Sequence, residues 1–504
     1  MENEYDVIVV GAGNGGLVTA ATTAKAGLKT LVLEKHNLPG GCATSFIRGR
    51  FEFEPSLHEL SNLGTEEKPM EIYNILSGLG VKIDWQYESN VFRAILRGEN
   101  GYDVTIPSDK KGFIDAIDKA AQGSRESLEN MFALIDVLKD AMAYIDANGG
   151  KINPVALYLK FPDFVRCAGH SVDDVLTALK MPEKAKQIIG TYWSYLGVPT
   201  DELNAMHFLL MLDGYISARP AMPLKRAHQI SVSLAQIIMD NGGVIKYNTP
   251  VTEFLYDAGG ACYGVIADGK EYRAKKIVAN IIPNAVFGMS KGNVPKYETK
   301  LCNARTFGIS ILTVYIGLDC TAEELGIKDY TIFVYNTPDT RAQNENRKDL
   351  SLYIVNCLNT VIPDCTPEGT STLFFAIPVY GDDIPDDLEP QDYKKYKNEI
   401  AKKYIEDFER VLGVSILPHI EEISIATPVT FARYLGTPGG TIYGYYCADW
   451  DSVIMRTMNS EKDHTIENLY FVGGHAERGD GFSSAYLSGD EVGRKIIKLL
   501  GEEE

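Results

Sequence analysis

The 504-residue sequence lacks several features that would assign it to particular classes of protein. It contains no uninterrupted apolar run of about 18 residues, the length that a membrane-spanning helix needs. Its eight cysteines are irregularly spaced without any Cys-x-x-Cys pair, so neither a zinc site nor a disulfide framework is indicated. No basic and apolar segment typical of a secretory signal opens the chain, and we expect a cytoplasmic protein.

Positive charge is also scarce. The 49 lysines and arginines stand against 68 aspartates and glutamates, which gives a formal net charge of −19 at pH 7. Such a chain is repelled by the phosphates of nucleic acids and is not attracted as a whole to anionic membranes, so we expect no nucleic-acid partner. The length exceeds what one hydrophobic core supports. Because no linker or repeat divides the chain, we expect domains built from interleaved segments.

The first forty residues carry the pattern of a dinucleotide-binding unit. A buried strand is predicted at Asp6–Val10, and a glycine-rich turn, Gly11–Gly16, leads into a helix that runs to Ala26. A second strand is predicted at Lys29–Leu33, and Glu34 follows it directly. A Gly-x-Gly-x-x-Gly turn between strand and helix, with an acidic residue about 20 positions further on, is typical of this unit.

Each conspicuous residue of this unit has a physical reason. Gly11 permits the tight turn, Gly13 lets the backbone approach a pyrophosphate, and Gly16 lets the helix pack closely on the strand. Glu34 is placed to accept hydrogen bonds from a ribose diol, and its charge would repel the 2′-phosphate of NADP. The unit is therefore predicted to bind FAD or NAD.

The remainder of the chain alternates between helical and β-rich stretches. Residues 112–216 are predicted to be mostly helical, an α/β pattern returns from 227, and residues 310–441 are predicted to be β-rich with inserted helices. The individual elements predicted are helices at 124–148, 152–164 and 230–241, a helix that Ser171 caps, a hairpin of 262–266 with 271–273, strands at 244–247, 276–280, 313–316, 352–355, 373–377 and 468–472, and a terminal helix at 488–500.

Two further motifs give the sequence a resemblance to a known family. One is the loop Pro39-Gly-Gly-Cys-Ala-Thr-Ser-Phe46, and the other is the glycine-containing block Gly473–Gly489. Together with the N-terminal unit, they make the sequence similar to the phytoene desaturase-like flavoproteins. This group includes carotenoid cis–trans isomerases and retinol saturases, and it lies within the amine-oxidase-like FAD superfamily. Weaker matches lie at Trp193–Gly197, Gly243–Val251, Ala279-Asn280 and Thr437–Thr441.

The resemblance implies an α/β fold in which a Rossmann-type FAD-binding domain is interleaved with an α+β substrate domain that carries a helical cap. It places the FAD-binding domain at 1–85, 225–300 and 455–504, and the substrate domain at 86–224 and 301–454 with the cap at 112–216. FAD is implied to lie extended between the terminal motifs. The residues implied to bind it are Gly11, Gly13, Asn14, Gly15, Gly16, Glu34 and Lys35 around the ADP half, Val251 at the adenine, Gly40, Gly41, Cys42 and Ala43 beside the flavin, and Gly473, Gly474, Gly481 and Phe482 near the ribityl chain and pyrimidine ring.

Candidates for proton transfer are few. His58 follows the loop Pro39–Phe46, which we call the flavin-side loop. His58 is a candidate general acid or base, with a role in shaping that loop as the alternative. His475 stands where relatives commonly carry an acidic residue on the ribityl chain. It and Glu477 are candidates either for proton transfer or for a ribityl or structural contact. Cys42 is interpreted as a small packing residue, and no metal site is expected.

The main hypothesis is an FAD-dependent enzyme that saturates, desaturates or isomerises carbon–carbon double bonds of a long apolar polyene, retinoid or fatty-acyl-like molecule. No second nucleotide-binding unit for NAD(P)H is recognised, so electrons are expected to come from or pass to an external partner, unless the reaction is a redox-neutral isomerisation. One alternative is a flavin oxidase or dehydrogenase for a polar substrate such as an amine. The other is a non-catalytic lipid-binding protein resembling the Rab GDP-dissociation inhibitors. The apolar stretch 152–164 is interpreted as a cap helix or as a peripheral membrane contact.

Overall fold

The computed structural model describes residues 3–148, 153–291, 294–385, 387–453, 455–456, 466–476, 479 and 481–502. Most of its strands belong to two seven-stranded sheets. The strands within the described residues are β1 Glu4–Val10, β2 Thr30–Leu33, β3 Phe46–Arg48, β4 Phe51–Phe53, β5 Trp85–Tyr87, β6 Asn90–Leu96, β7 Tyr102–Pro107, β8 Ala221–Pro223, β9 Val244–Lys246, β10 Val251–Tyr256, β11 Cys262–Ala267, β12 Lys270–Ala279, β13 Ser310–Leu318, β14 Thr331–Tyr335, β15 Leu352–Asn356, β16 Ser371–Val379, β17 Ile420–Ala426 and β18 Leu469–Phe471.

The α-helices flank these sheets and build a separate helical layer. They are α1 Asn14–Lys25, α2 Glu71–Leu79, α3 Lys110–Ala120, α4 Arg125–Ala147, α5 Pro154–Lys160, α6 Pro162–Cys167, α7 Val172–Ala178, α8 Glu183–Ile189, α9 Ala205–Ile216, α10 His228–Asp240, α11 Pro283–Gly288, α12 Lys296–Ala304, α13 Thr340–Glu345, α14 Pro390–Leu412, α15 Pro428–Leu435 and α16 Phe482–Glu502. None of the described helices is both long and apolar enough to cross a membrane.

The first sheet has the order β10-β11-β12-β1-β2-β9, and β18 pairs with β12. Its central strand β1 is parallel to both β2 and β12. The Val7–Val10 segment of β1 is buried on both faces, as a continuous apolar run in a parallel sheet requires. Helix α1 lies against α16, and a Cβ atom added to Gly489 would stand 2.4 Å from the carbonyl oxygen of Gly15. This close helix crossing brings the two terminal motifs together.

The second sheet has the order β17-β13-β16-β15-β14-β6-β7, and its pairs are antiparallel except for β14 with β6. One face packs against helices from the 110–216 stretch in a core that includes Phe113, Phe132 and Trp193. The opposite face packs against α14 through Tyr404 and Phe408. The sheet is thus a middle layer between the helical cap and one long amphipathic helix.

The predicted α/β class with its Rossmann-type unit is confirmed. The strands of the first sheet come from residues 4–33, 244–279 and 469–471, and those of the second from 90–107 and 310–426. The domain boundaries given above remain a prediction. The capping of α7 by Ser171 is observed, and its side chain accepts a hydrogen bond from the Asp174 amide.

Three element predictions are wrong in detail. The predicted strands 271–273 and 276–280 form one strand, β12, because its first half pairs with β11 and its second half with β18. The terminal helix begins at Phe482 rather than Ser488, directly after Gly481, whose φ of +97° closes the preceding loop. The stretch 152–164 is not one helix. It is divided at Phe161 because Pro162 cannot donate the next helical hydrogen bond.

Candidate active site

One large cavity runs between the two sheets and the helical cap. Its volume is about 2620 Å³, which exceeds the ~300–1,000 Å³ of a pocket for a single small ligand. One end is lined by the glycine turns of the terminal motifs. The other end is lined by apolar side chains of the cap and the second sheet, namely Met142, Ile145, Leu157, Phe164, Met206, Leu210, Met211, Ile311 and Phe374. The cavity therefore joins a polar, backbone-rich end to an apolar end.

The first glycine turn is packed so closely that side chains are excluded. A Cβ atom on Gly16 would lie 2.2 Å from the Gly11 carbonyl oxygen, and one on Gly15 would lie 2.8 Å from the Gly473 amide nitrogen. Gly11 has a φ of +98°, which favours glycine. Gly13 reaches the cavity wall, whereas Gly16 lies behind it. The roles assigned to these glycines from the sequence thus correspond to close backbone contacts.

Asn280, at the end of β12, ties this turn to the C-terminal motif. With its amide oriented to satisfy both atoms, Oδ1 accepts from the Gly13 amide at 3.1 Å and Nδ2 donates to the Val472 carbonyl at 3.3 Å. This bridging role of Asn280 is not predicted from the sequence. Its position directly after a parallel strand, at the edge where ligands bind in α/β sheets, is the signal that could have identified it.

Glu34 is held rigidly at the end of β2. Its Oε2 accepts a hydrogen bond from the Ala12 amide at 2.6 Å, and its Oε1 accepts one from the His36 amide at 2.8 Å. The side chain is buried and lines the cavity together with Lys35 and Val251. This places a fixed carboxylate beside the glycine turn, where a ribose would be recognised.

The flavin-side loop contacts the same turn through its backbone. The Gly40 amide donates to the Ala12 carbonyl at 2.7 Å, and Gly40 has a φ of +122°. Gly41 and Cys42 line the cavity, whereas Ala43 is buried behind the wall. Burial raises the pKa of the Cys42 thiol to about 11. Cys42 is therefore a neutral thiol, as a packing role requires.

The C-terminal motif completes this end of the cavity. Gly473, Gly474, Gly481 and Phe482 all line it. The Gly473 amide donates to Ser488 Oγ at 3.0 Å, so the turn after β18 is fixed to α16. The first turn of α16 faces the cavity, where its amides and helix dipole favour negative charge.

The wall contains buried polar atoms that lack a protein partner. Among the described residues, Asn14 Oδ1, Ser45 Oγ and His475 Nδ1 have no hydrogen bond, and all three side chains line the cavity. Buried polar atoms in folded proteins are normally paired. These atoms, the backbone cradle and the carboxylate of Glu34 therefore fit an extended polar cofactor such as a dinucleotide.

Both candidate histidines lie at the cavity, but in apolar surroundings. The His58 ring contacts Tyr195 and Phe374 at centroid distances of 5.6 and 5.2 Å. Burial lowers the pKa of His58 to about 4. Burial and then the charge of Arg456 lower the pKa of His475 to about 4. Both rings are neutral near pH 7 and hold no proton to give as acids.

The third candidate, Glu477, lies outside the described residues. Two other carboxyl groups that the sequence analysis does not select are buried near His58. Glu59 lines the cavity and contacts Glu88, and Tyr192 Oη donates to Glu59 Oε1 at 2.7 Å. Glu59 directly follows His58 in the sequence, and a carboxylate beside Leu57 and Leu60 is the signal that could have identified it.

A group of potential metal ligands occurs elsewhere in the described residues. Asp319, Cys320 and His419 lie within reach of one another near the end of β13, and His419 Nδ1 is 2.9 Å from Asp319 Oδ1. None of the three lines the cavity. The hydrogen bond between the aspartate and the histidine accounts for this contact without a metal ion.

Comparison with known proteins agrees with this geometry. Residues 9–74 match the family described as an NAD(P)-binding Rossmann-like domain. All-trans-retinol 13,14-reductase of Danio rerio is 27% identical, over 93% of this chain and 82% of its own length. Prolycopene isomerase of Arabidopsis thaliana is 23% identical over 100% and 84%, and a 4,4′-diapophytoene desaturase of a Methylomonas species is 23% identical over 99% and 96%.

The chain is thus similar over nearly its whole length to proteins of the phytoene desaturase-like group. A solved structure of a putrescine oxidase variant covers 98% of this chain and 99% of its own, at 16% identity and a TM-score of 0.65. That likeness shows the fold. The resemblance inferred from the terminal motifs is thus confirmed.

The resemblance leads us to expect an acidic residue at the position of His475. The His475 side chain lines the cavity, and its buried Nδ1 has no hydrogen-bond partner among the described residues. A neutral imidazole accepts or donates a hydrogen bond without adding charge.

Proposed function

We propose that this protein is an FAD-dependent enzyme that acts on carbon–carbon double bonds of a long apolar polyene or retinoid. The observation that carries the proposal is the continuous cavity, whose glycine-lined end fits a dinucleotide and whose other end is apolar. The relatives named above are a retinol reductase, a prolycopene isomerase and a diapophytoene desaturase. All three names denote chemistry at double bonds of long apolar molecules.

The chain's own residues would hold the cofactor in an extended form. Glu34 would receive the ribose hydroxyls, the turn at Gly13 would admit the pyrophosphate, and the first turn of α16 would face the flavin's pyrimidine side. Bound FAD supplies hydride exchange at its N5 atom. The apolar wall would orient the substrate and exclude water, so that the double bond meets the flavin in a fixed geometry.

The electron partner is proposed to be external. Within the described residues, Gly11–Gly16 forms a strand-to-helix turn, whereas Gly259–Gly264 runs from the β10–β11 turn into strand β11 and leads to no helix. An external donor or acceptor, or a redox-neutral isomerisation, follows from this arrangement. The apolar lining also favours the main hypothesis over a polar-substrate oxidase. Lys139 lies in the wall, but its Nζ donates to Asp213 Oδ2 at 2.8 Å, so its charge is already paired within the protein.

The visible spectrum of the FAD-loaded protein tests this proposal. The protein is reduced anaerobically with dithionite, and all-trans-retinol, prolycopene or 4,4′-diapophytoene is then added. We expect a flavin band that bleaches on reduction. Reoxidation by one polyene identifies a saturase, whereas a changed polyene with flavin still reduced identifies an isomerase. Desaturation is tested with oxidised protein and a quinone as acceptor. A protein that binds no FAD, or whose flavin and polyenes are unchanged in every arm, would contradict the proposal.

We also propose that α5 contacts a membrane surface, because an apolar substrate must enter from an apolar phase. Val155 and Leu159 are 68% and 75% exposed, while Leu157 of the same helix lines the cavity. An exposed apolar helix face beside a cavity is suited to lie at the lipid interface. The net charge of −19 predicts binding to neutral rather than anionic lipid.

Co-sedimentation with phosphatidylcholine vesicles checks this contact. Replacing both Val155 and Leu159 by serine is expected to weaken vesicle binding at least about ten-fold, because the apolar area transferred into lipid is lost. Val429→Ser is the control, since Val429 is 52% exposed but lies on α15. Equal binding of the double variant and the wild type would exclude α5 as the contact.

A further inference from the structure

Glu59 and Glu88 form a buried pair of carboxyl groups, of which Glu59 lines the cavity. Glu59 is 4% exposed and Glu88 is 2% exposed. A third segment of chain brings them together. The Leu60 amide donates to the Ala221 carbonyl at 3.0 Å, and the Glu88 amide donates to the neighbouring Pro220 carbonyl at 2.9 Å. Their side chains are thereby held in hydrogen-bonding contact.

The hydrogen-bond pattern of this pair requires a proton. Glu59 Oε1 accepts from Tyr192 Oη, but Glu59 Oε2 and both oxygens of Glu88 have no donor among the described residues. Two ionised carboxylates in contact cannot donate to each other, whereas a carboxylic acid can donate to a carboxylate. A shared proton therefore supplies the missing donor and removes one buried charge.

The charges around the pair favour the same conclusion. Burial raises the pKa of Glu59, and burial together with the Glu59 carboxylate raises the pKa of Glu88 well above its usual range. Neither carboxyl has an ion-pair partner in the described part of the chain. The titratable side chains that face the pair from the surrounding segments are Tyr192, Tyr195, Tyr215 and Tyr330. Burial raises the pKa of each tyrosine, so these neighbours stay neutral.

Glu59 lies near the end of the cavity that the first turn of α16 lines. Glu59 is two residues before Ser61, whose hydroxyl is 3.2 Å from Ser483 Oγ in the first turn of α16. His58 and His475 are neutral near pH 7, whereas Glu59 can carry a proton to this end of the cavity. A reaction that adds or removes hydrogen across a double bond needs such a group.

We propose that Glu59 is the catalytic proton donor and acceptor of this cavity, and that Glu88 is a positioning residue that holds the second proton of the pair. This inference rests on the proposed function. In the saturating direction, one carbon receives a hydride, with both electrons, from reduced flavin. The neighbouring carbon receives a proton from Glu59, so that one O–H bond breaks as one C–H bond forms. The pair passes from two protons to one shared proton and regains the second from water. Desaturation is the reverse.

The direction of the pH dependence follows from this assignment. Proton donation needs the doubly protonated pair, which exists only below the raised pKa of Glu59, the first of the two groups to ionise. Reduction of a polyene by reduced protein is therefore expected to slow as the pH rises through that pKa, and removal of hydrogen is expected to become faster.

Infrared spectroscopy of the FAD-free protein tests the shared proton apart from turnover. At about pH 9, Glu54 is mostly ionised, because burial raises its pKa only to about 7. We expect the carbonyl band of a buried carboxylic acid in the wild type, which shifts in deuterated water. The band should be lost in Glu88→Gln and in Glu59→Gln but kept in Glu71→Gln, whose carboxyl is exposed. A wild type without the band overturns the shared proton.

Turnover of the FAD-loaded protein tests the catalytic step. We expect Glu59→Gln to slow polyene-dependent reoxidation of the reduced protein by about 10²–10⁴-fold with an unchanged flavin spectrum, and Glu59→Asp to restore part of the rate. Glu88→Gln should slow it and remove the pH dependence. A rate in Glu59→Gln within about two-fold of wild type overturns the donor role. A wild type that has the band but converts none of the three polyenes overturns the proposed function and the donor role with it, whereas the shared proton stands.

Discussion

Replacing Gly16 by alanine is expected to weaken FAD binding at least about ten-fold and to lower the free energy of unfolding by about 1–3 kcal/mol. The new Cβ atom would stand 2.2 Å from the Gly11 carbonyl oxygen and 3.1 Å from the Asn280 Cβ. The Gly11 oxygen is backbone, so the turn itself would have to move. Because the same turn presents Gly13 to the cavity, its displacement removes the surface against which a pyrophosphate would lie.

Fluorescence titration with FAD and unfolding in urea measure the two effects. Gly78→Ala is the matched control, since Gly78 also lies within a helix but nothing stands within 4 Å of its Cβ position. That control is expected to bind FAD as the wild type does and to be equally or slightly more stable, because alanine is the better helix former. If Gly16→Ala behaved like Gly78→Ala, the close packing of the first turn would not be what forms the site.

The first glycine turn could be predicted from sequence because its tightest contact is local: a Cβ atom on Gly16 would stand 2.2 Å from the Gly11 carbonyl oxygen. The contacts of the same turn with Asn280 and Gly473 come from distant segments and could not be predicted from the motif alone. The cap at Ser171 is local as well, since its hydrogen bond reaches only to Asp174. Where neighbours in sequence determine the backbone, a motif is sufficient evidence for the structure.

The carboxyl pair could not be predicted, because a distant segment creates it. Glu59 and Glu88 are 29 positions apart, and both are anchored by backbone hydrogen bonds to residues 220 and 221. No periodicity in the sequence indicates that three-way contact. Glutamate is also rarely buried unless it is paired, so composition argues against placing either residue in a cavity wall. Histidine titrates near neutral pH, which makes His58 a candidate from sequence, but burial lowers the pKa of His58 to about 4.

Asp407→Asn is expected to lower the free energy of unfolding by about 3–5 kcal/mol, the usual cost of breaking a buried ion pair from one side. The Asp407 side chain is 1% exposed, and Arg97 Nη1 donates to its two oxygens at 2.8 and 2.7 Å. Tyr353 Oη also donates to Oδ2 at 2.8 Å. This group fastens α14 to the second sheet through β15 and the end of β6.

An asparagine at 407 would leave the partly buried guanidinium of Arg97 without the charge of Asp407. The side-chain amide nitrogen of the asparagine would also face the donors of Arg97 or Tyr353. Glu406→Gln on the same helix is the control, because Glu406 is exposed and its pair with Lys402 spans 3.5 Å at the surface, where such pairs contribute about 0–1 kcal/mol. Denaturation curves of both variants provide the comparison. Asp407 lies on the face of the second sheet opposite the cap, so the loss of stability is expected to leave FAD binding unchanged under native conditions. A variant as stable as wild type would mean that α14 is held mainly by Tyr404 and Phe408 in the apolar layer beneath it.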